Sequence, residues 1–330
     1  MIPKGLYWKM SKKIVVVQKL LERSLIDRIL EKGTSLGYQV ESFMSVEEAL
    51  PACADAEIIY GGNPALIKAA PLLKWYNASS VGVDAYLKDK DLLREDVILT
   101  NSAGAYGPSV SEHGLMTTLM VLRREWEYME NVQKRIWRND LMVGSIDGSY
   151  VTILGTGDIG TGYAEKVRAC GAAHITGINR SGHPAGDVYD ETAGMADLDA
   201  YLPLTDILFM CLPGTPETKG ILSEERIASM KKTAVIVNVG RGSAVDQKAL
   251  VRALNEKRIG GAALDVFEKE PLPEDDPAWN TPGLLITTHT AGNMTAAVTR
   301  RKNAEQFLEN LELYDQGLPM KHVVRRNLGY

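Results

Sequence analysis

The feature that most constrains this 330-residue chain is a run of six residues, Gly155-Thr156-Gly157-Asp158-Ile159-Gly160. A GxGxxG spacing says little by itself. Here it directly follows Val151-Thr152-Ile153-Leu154, which reads as a buried strand, and it opens a helical stretch that runs to about Cys170. In that setting each glycine has a physical task. Gly155 permits the tight turn, Gly157 lets the backbone approach a pyrophosphate, and Gly160 lets the helix pack closely on the strand. The helix N-terminus turns unpaired N–H groups and a positive dipole end toward the phosphates, with Thr156, Asp158 and Ile159 in the same cradle. A glycine-rich turn with no ligand is the plain alternative. The predicted architecture is a parallel sheet wound on both faces by helices, carrying a dinucleotide.

The rest of the chain repeats this rhythm. Lys13–Val17, Tyr38–Phe43, Glu57–Tyr60, Leu73–Asn77 and Val97–Asn101 read as strands separated by helical spacing, with Gly37 as a helix stop and Ser45 as a helix cap. Leu115, Leu119, Leu122, Trp126 and Met129 then recur at three- and four-residue steps between Ser109 and Trp137. They predict one long helix, with an interruption allowed, that has a wide apolar face and starts near Pro108. A second series follows, with six predicted strands: Tyr150–Leu154, His174–Asn179, Ile207–Cys211, Ala234–Val239, Gly261–Asp265 and Leu285–Thr288. Residues 182–186 read as a surface loop, and Ala296–Tyr314 as an amphipathic final helix.

Composition limits the function classes. With 37 basic and 42 acidic residues the net charge is -5, which argues against nucleic acid or an anionic membrane as the main partner. Hydrophobic residues make up 45% and charged residues 24%, as in a globular chain of two domains. Lys4, Lys9, Lys12 and Lys13 near the start are followed by no apolar stretch long enough for a signal peptide or a span, so a cytoplasmic protein is expected. Cys53, Cys170 and Cys211 are scattered, without metal-ligand spacing, and are expected to be buried or half-buried thiols. No metal is expected.

The end of the second strand after the glycine motif speaks to which dinucleotide is bound. An NAD site usually has an acid there, for the ribose 2′-hydroxyl. This chain has Asn179-Arg180-Ser181, and its next acidic residue is Asp187. A guanidinium and a hydroxyl suit a 2′-phosphate, so NADP(H) is the expected cofactor, with Arg180 its main contact and NAD(H) still open.

Three later strands of the series end in ionisable groups that a doubly wound sheet gathers into one crevice. They are Arg241 in Val239-Gly240-Arg241-Gly242, the acids of Asp265–Pro271, and His289 in Thr288-His289-Thr290-Ala291-Gly292. This set suits reduction of a 2-oxo acid. Arginine holds the carboxylate and polarises the carbonyl, histidine donates a proton as hydride arrives, and a carboxylate on the other ring nitrogen orients the imidazole.

At this point the chain resembles the D-isomer-specific 2-hydroxyacid dehydrogenases. The matching segments are Asn77–Asp84, Gly155–Gly160, Leu212–Thr218, Asn238–Gly242, Asp265–Pro271 and His289–Gly292, in the family's order. Asn179-Arg180-Ser181 and the closing Arg325–Tyr330 resemble, more weakly, the NADPH-using glyoxylate/hydroxypyruvate reductase branch. The resemblance implies that Arg241 binds substrate, that His289 is the general acid and that Glu270 is its partner. It puts Asp265 near the nicotinamide carboxamide, with Leu212, Pro213, Val239 and Gly240 along the cofactor cleft. The backbone of Val81 and Gly82 is implied to hold the substrate carboxylate. The family also implies that a Rossmann cofactor domain, residues 104–291, is inserted into a flavodoxin-like substrate domain made of 1–103 and 292–330, and that the protein is a homodimer.

There are two departures from the family pattern. Thr288 stands where the family often has proline, and Val110-Ser111-Glu112 replaces Val-Ala-Glu, which is expected to be a packing change. His113, His174, His183 and His322 lie off the motifs and are expected to be structural or surface groups. Trp279 and Met44 are expected in the core. Three alternatives stay open: a dinucleotide-sensing binding protein on the same fold, a dehydrogenase for a branched 2-oxo acid, and one for a phosphonate. Formate oxidation fits less well, because it needs no acid–histidine pair.

Overall fold

The computed structural model describes residues 12–89 and 91–329, so Lys4, Lys9 and Tyr330 lie outside the described residues. The chain divides into two units, Met1–Ala105 with Met294–Tyr330, and Tyr106–Asn293.

The first unit holds five strands, β1 (Lys13–Val17), β2 (Gln39–Phe43), β3 (Ile58–Gly61), β4 (Trp75–Ala78) and β5 (Ile98–Thr100). Their order is β2-β1-β3-β4-β5 with every pairing parallel, which is the flavodoxin-like order. All five residues of β1 are buried because the sheet is covered on both faces. Ile14 and Val16 enter one core layer, and Val15 and Val17 enter the other, as the two-residue period of a strand requires. The helix Ala297–Asp315 belongs to this unit by its packing. Phe307 stacks against Tyr60, with ring centroids 4.5 Å apart, and against Trp75 at 5.2 Å. Burying that one ring stabilises by about 2–3 kcal/mol. The buried stripe of this helix also contains Asn303 and Asn310. Both side-chain amides are satisfied, Asn303 donating to the Ser79 carbonyl at 3.0 Å and Asn310 to that of Lys321 at 2.9 Å.

The second unit holds seven strands: β6 (Tyr150–Leu154), β7 (His174–Asn179), β8 (Glu191–Gly194), β9 (Ile207–Met210), β10 (Val235–Asn238), β11 (Gly261–Leu264) and β12 (Leu284–Ile286). They form one parallel sheet in the order β12-β11-β10-β9-β6-β7-β8. The chain winds outward in both directions from the β6/β9 pair, which makes that pair the topological switch point where such folds bind ligands. The sequence predicts six strands here. The seventh, β8, is a polar edge strand, Glu191-Thr192-Ala193-Gly194, with only Ala193 buried, so it has no apolar signature.

The interruption allowed in the helix from Ser109 to Trp137 is present, between Gly107–Leu122 and Glu125–Gln133, where Arg124 takes a left-handed conformation with φ 54°. Three further expectations are corrected. Leu115, Leu122 and Trp126 of the predicted face are half-buried and pack against the core, but the fully buried stripe lies beside them. It is Val110, Ser111, Gly114, Thr117, Thr118 and Val121, small residues that let the helix sit close to the sheet. A Cβ on Gly114 would lie 2.5 Å from the Phe209 ring. Leu119 and Met129 are exposed instead. Cys170 is exposed, whereas Cys53 is buried and Cys211 half-buried. Trp279 and Met44 are also exposed rather than in the core. Trp279 keeps its indole N–H on the Pro273 carbonyl at 2.8 Å, which holds the ring against a surface loop.

Candidate active site

The glycine turn sits between β6 and the helix Asp158–Ala169, at the switch point. Gly155 has φ +101°, a conformation that L side chains rarely adopt. A Cβ on Gly160 would come within 1.9 Å of the Gly155 carbonyl oxygen, so only glycine allows this close approach. Around Gly157, by contrast, a Cβ would meet nothing within 4 Å, so this side of the turn is open to a ligand. No side chain caps this helix N-terminus. An open approach and unspent amide donors are what a pyrophosphate needs, and the residues present fit a dinucleotide. Beneath the turn, the Cys211 thiol donates to the Gly155 carbonyl at 3.2 Å, and burial pushes its pKa up to about 12, keeping it a neutral donor. Nothing in the local sequence around Cys211 points to this role. Leu212 is buried and Pro213 half-buried immediately after β9.

At the end of β7 the Asn179 side chain is consumed by its own turn. Its Oδ1 accepts from the amides of Ser181 at 3.0 Å and Gly182 at 2.7 Å, and its Nδ2 donates to Thr156 Oγ1 at 3.2 Å and to the His183 carbonyl at 3.0 Å. Asn179 therefore organises the turn and ties it to the glycine motif, leaving Arg180 and Ser181 exposed. The Glu217 carboxyl is held below its usual range by the Thr215 hydroxyl and, more weakly, by its own backbone and by Arg180.

After β10, β11 and β12 the ionisable groups are placed as follows. His289 Nδ1 lies 2.6 Å from Glu270 Oε2, and the other Glu270 oxygen accepts from the Phe267 amide at 2.9 Å. Glu270 is thus held from behind and presents one oxygen to the imidazole. The Arg241 turn is shaped by buried Asn238, which accepts from the Gly240 amide at 3.0 Å and donates to the Arg241 carbonyl at 2.9 Å. Arg241 Nη1 donates to the Gly240 carbonyl at 2.8 Å. Gly242 brings this turn against the neighbouring loop, since a Cβ there would lie 1.9 Å from the Phe267 carbonyl carbon.

Asp265 is 3% exposed and anchors the histidine loop. Its Oδ1 accepts from the Thr287 hydroxyl at 2.6 Å and the Thr290 amide at 2.9 Å, its Oδ2 from the Ala291 amide at 3.1 Å, and its carbonyl from the His289 amide at 2.8 Å. His289 itself has φ 55°, a left-handed conformation that costs a non-glycine residue about 1–2 kcal/mol. The four bonds to Asp265 offset that cost. His113, expected as a structural or surface group, reaches this anchor. Its Nε2 lies 3.1 Å from Thr287 Oγ1 and 3.7 Å from Asp265 Oδ1. Burial holds the His113 pKa below its ordinary value, with Asp265 opposing. The spacing Val110, His113, Gly114, Thr117 could have revealed the inward face. Ser111, the departure in that segment, is fully buried and faces Gly162 of the neighbouring helix.

In the first unit, the loop after β4 carries Val81 and Gly82. Their carbonyls accept from Asn101 Nδ2 at 2.9 Å and Ser80 Oγ at 2.8 Å, which sets the backbone of that loop. Among the described residues there is no metal-binding cluster of His, Cys, Asp and Glu, and no helix is long and apolar enough to cross a membrane.

A doubly wound sheet with an open glycine cradle at its switch point, and an acid–histidine pair at neighbouring strand ends, defines a nicotinamide-dependent oxidoreductase. Residues 115–291 match the family model described as the NAD binding domain of D-isomer specific 2-hydroxyacid dehydrogenases, and the chain belongs to that family. It is 32% identical over 323 residues to a glyoxylate/hydroxypyruvate reductase B from Escherichia fergusonii, covering 94% of this chain and 97% of that protein. Among solved structures, a D-isomer specific 2-hydroxyacid dehydrogenase family protein from Aeromonas salmonicida superposes with a TM-score of 0.85 at 28% identity, covering 96% of this chain and 99% of that one. An NADPH-dependent glyoxylate/hydroxypyruvate reductase from Sinorhizobium meliloti, solved with NADP and sulfate, superposes at 0.80 and 28% identity, covering 97% and 100%.

Proposed function

We propose that this protein reduces a small 2-oxo acid of the glyoxylate or hydroxypyruvate type to the D-2-hydroxy acid, with NADPH preferred over NADH. The single observation that carries the reading is the His289–Glu270 contact of 2.6 Å on a loop anchored at Asp265. NADPH supplies the hydride. Arg241 holds the substrate carboxylate and polarises the carbonyl. His289 delivers the proton from Nε2 to the carbonyl oxygen, since its Nδ1 faces Glu270. Glu270 keeps the ring oriented and stabilises the imidazolium until the proton leaves. Residues 104–291 are the cofactor domain in this reading, and 1–103 with 292–330 are the substrate domain. Leu212, Pro213, Val239 and Gly240 would line the cofactor cleft, and Asp265 would bound its nicotinamide end through the loop it anchors.

NADPH preference is supported by exposed Arg180 and Ser181 on a turn that holds no acid at the place where one would bind a 2′-hydroxyl. The working form is a cytoplasmic homodimer. The reading is supported by the exposed apolar residues Met129, Val132, Ile136, Trp137 and Met142, whose side chains a second copy would cover. Sedimentation equilibrium should give twice the chain mass.

The deciding experiment follows absorbance at 340 nm with NADPH or NADH and a panel of 2-oxo acids. Rapid oxidation of NADPH with glyoxylate or hydroxypyruvate is expected, and His289→Ala should lower kcat by about 10²–10⁴-fold while NADPH still binds. Dinucleotide binding with no turnover on any 2-oxo acid would instead indicate a sensor.

A further inference from the structure

We propose that His113 is a positioning residue for the reaction, acting through Thr287 to hold the loop that presents His289. The inference rests on the reading of His289 as proton donor. Thr287 has one hydroxyl proton, and the 2.6 Å contact to the Asp265 carboxylate takes it. The Thr287 oxygen is then an acceptor toward His113, so His113 must carry its proton on Nε2, at 3.1 Å. A directed chain results, from His113 to Thr287 to Asp265. It joins the helix Gly107–Leu122 to the loops after β11 and β12.

The chain bears on catalysis because of what His289 lacks. Its side chain is 52% exposed, so packing does not fix the ring. Its direction is set by Glu270 and by its own backbone, which is held in the left-handed region. That backbone is fixed by Asp265 through bonds at 287, 289, 290 and 291. Thr287 is the side-chain member of that set, and His113 ties its hydroxyl to a helix. Without His113 the threonine hydroxyl loses one of its two partners, and the segment before His289 is held less tightly. A displacement of about 1 Å at a reacting group can cost on the order of 100-fold in rate. His113 is half-buried beside Asp265, not at a reacting atom, so its effect must pass through His289.

The test measures kcat, KM and NADPH affinity for His113→Ala, His113→Gln and Thr287→Val, each alone and in the His289→Ala background. Expected is a fall in kcat of about ten-fold for His113→Ala and Thr287→Val, with KM and NADPH affinity within about two-fold. Glutamine, which keeps a donor at the position of Nε2, should restore most of the rate. In the His289→Ala background none of the three should cost anything further. An equal loss in both backgrounds would make His113 a merely structural group and overturn the proposal. Wild-type kcat in His113→Ala beside a crippled His289→Ala would overturn it while leaving His289 in place. Wild-type kcat in His289→Ala would overturn the proton-donor reading itself. Thr287→Val changes the chain's other end almost isosterically, so the proposal stays testable if His113→Ala folds poorly.

Discussion

Two turns of the second unit, at the ends of β7 and β11, are each organised by one side chain, and they differ in kind. Asp265 is buried and charged, and the groups it binds lie on another loop, 22 to 26 residues further along the chain. Asn179 is neutral and half-exposed, and apart from Thr156 its partners lie within four residues of it. A buried carboxylate makes strong, charge-assisted bonds but tolerates no loss of partners. A surface amide shapes a turn at little cost, and the residues it displays can change without disturbing the core. The difference matches the tasks proposed for the two turns. One must hold a proton donor in a strained conformation, and the other must only show Arg180 and Ser181 to a cofactor.

Removing the Asp265 carboxylate should break this contrast most visibly. Asp265→Ala leaves the Thr290 and Ala291 amides and the Thr287 hydroxyl without their acceptor, and should cost on the order of 3 kcal/mol in urea unfolding, together with most of kcat. Asp265→Asn keeps one acceptor oxygen and should lose less of both. A stability equal to that of the parent protein would show that the anchor is dispensable and the comparison mistaken. A smaller effect is expected at the other turn. Arg180→Asp should lower the NADPH-over-NADH ratio of kcat/KM by roughly ten- to a hundred-fold, the equivalent of 1.5–3 kcal/mol for a hydrogen bond to a charged group, with unfolding unchanged. The smallest effect belongs to Asn179→Ala, which should raise KM about two- to five-fold for both cofactors, since it loosens the turn without changing its charge. A change of preference in Asn179→Ala as large as that in Arg180→Asp would show that the amide, not the guanidinium, reads the ribose.

The legible parts of this chain are those written in local pattern. β6 and the glycine motif could be read because strand, turn and helix are contiguous and each glycine has a backbone reason. β1 and β9 could be read because both faces of a parallel sheet are covered and their residues, apart from Lys13, are apolar. The polar edge strand β8 could not, because its pairing with β7 is made by backbone and leaves little trace in side chains. The spacing of residues 115–129 was informative only in part: Leu115, Leu122 and Trp126 pack against the core, whereas Leu119 and Met129 are exposed. Periodicity marks apolar faces, whereas the most deeply buried face is the one with small residues, where close approach to Phe209 leaves room for nothing larger.

At the candidate site the division is similar. Arg241, the acids of Asp265–Pro271 and His289 were visible as residue types at strand ends, and the family resemblance singled out Glu270 among those acids. Only the tertiary structure decided how they are held. It put the second Glu270 oxygen on a backbone amide, spent the Asn179 amide on its own turn, and set His113 beside Thr287, 174 residues away along the chain. Such contacts depend on distances of a few tenths of an ångström between distant segments. A strand's burial is repeated along neighbouring residues and can be read from them, but a single hydrogen bond between distant loops leaves no period in the sequence.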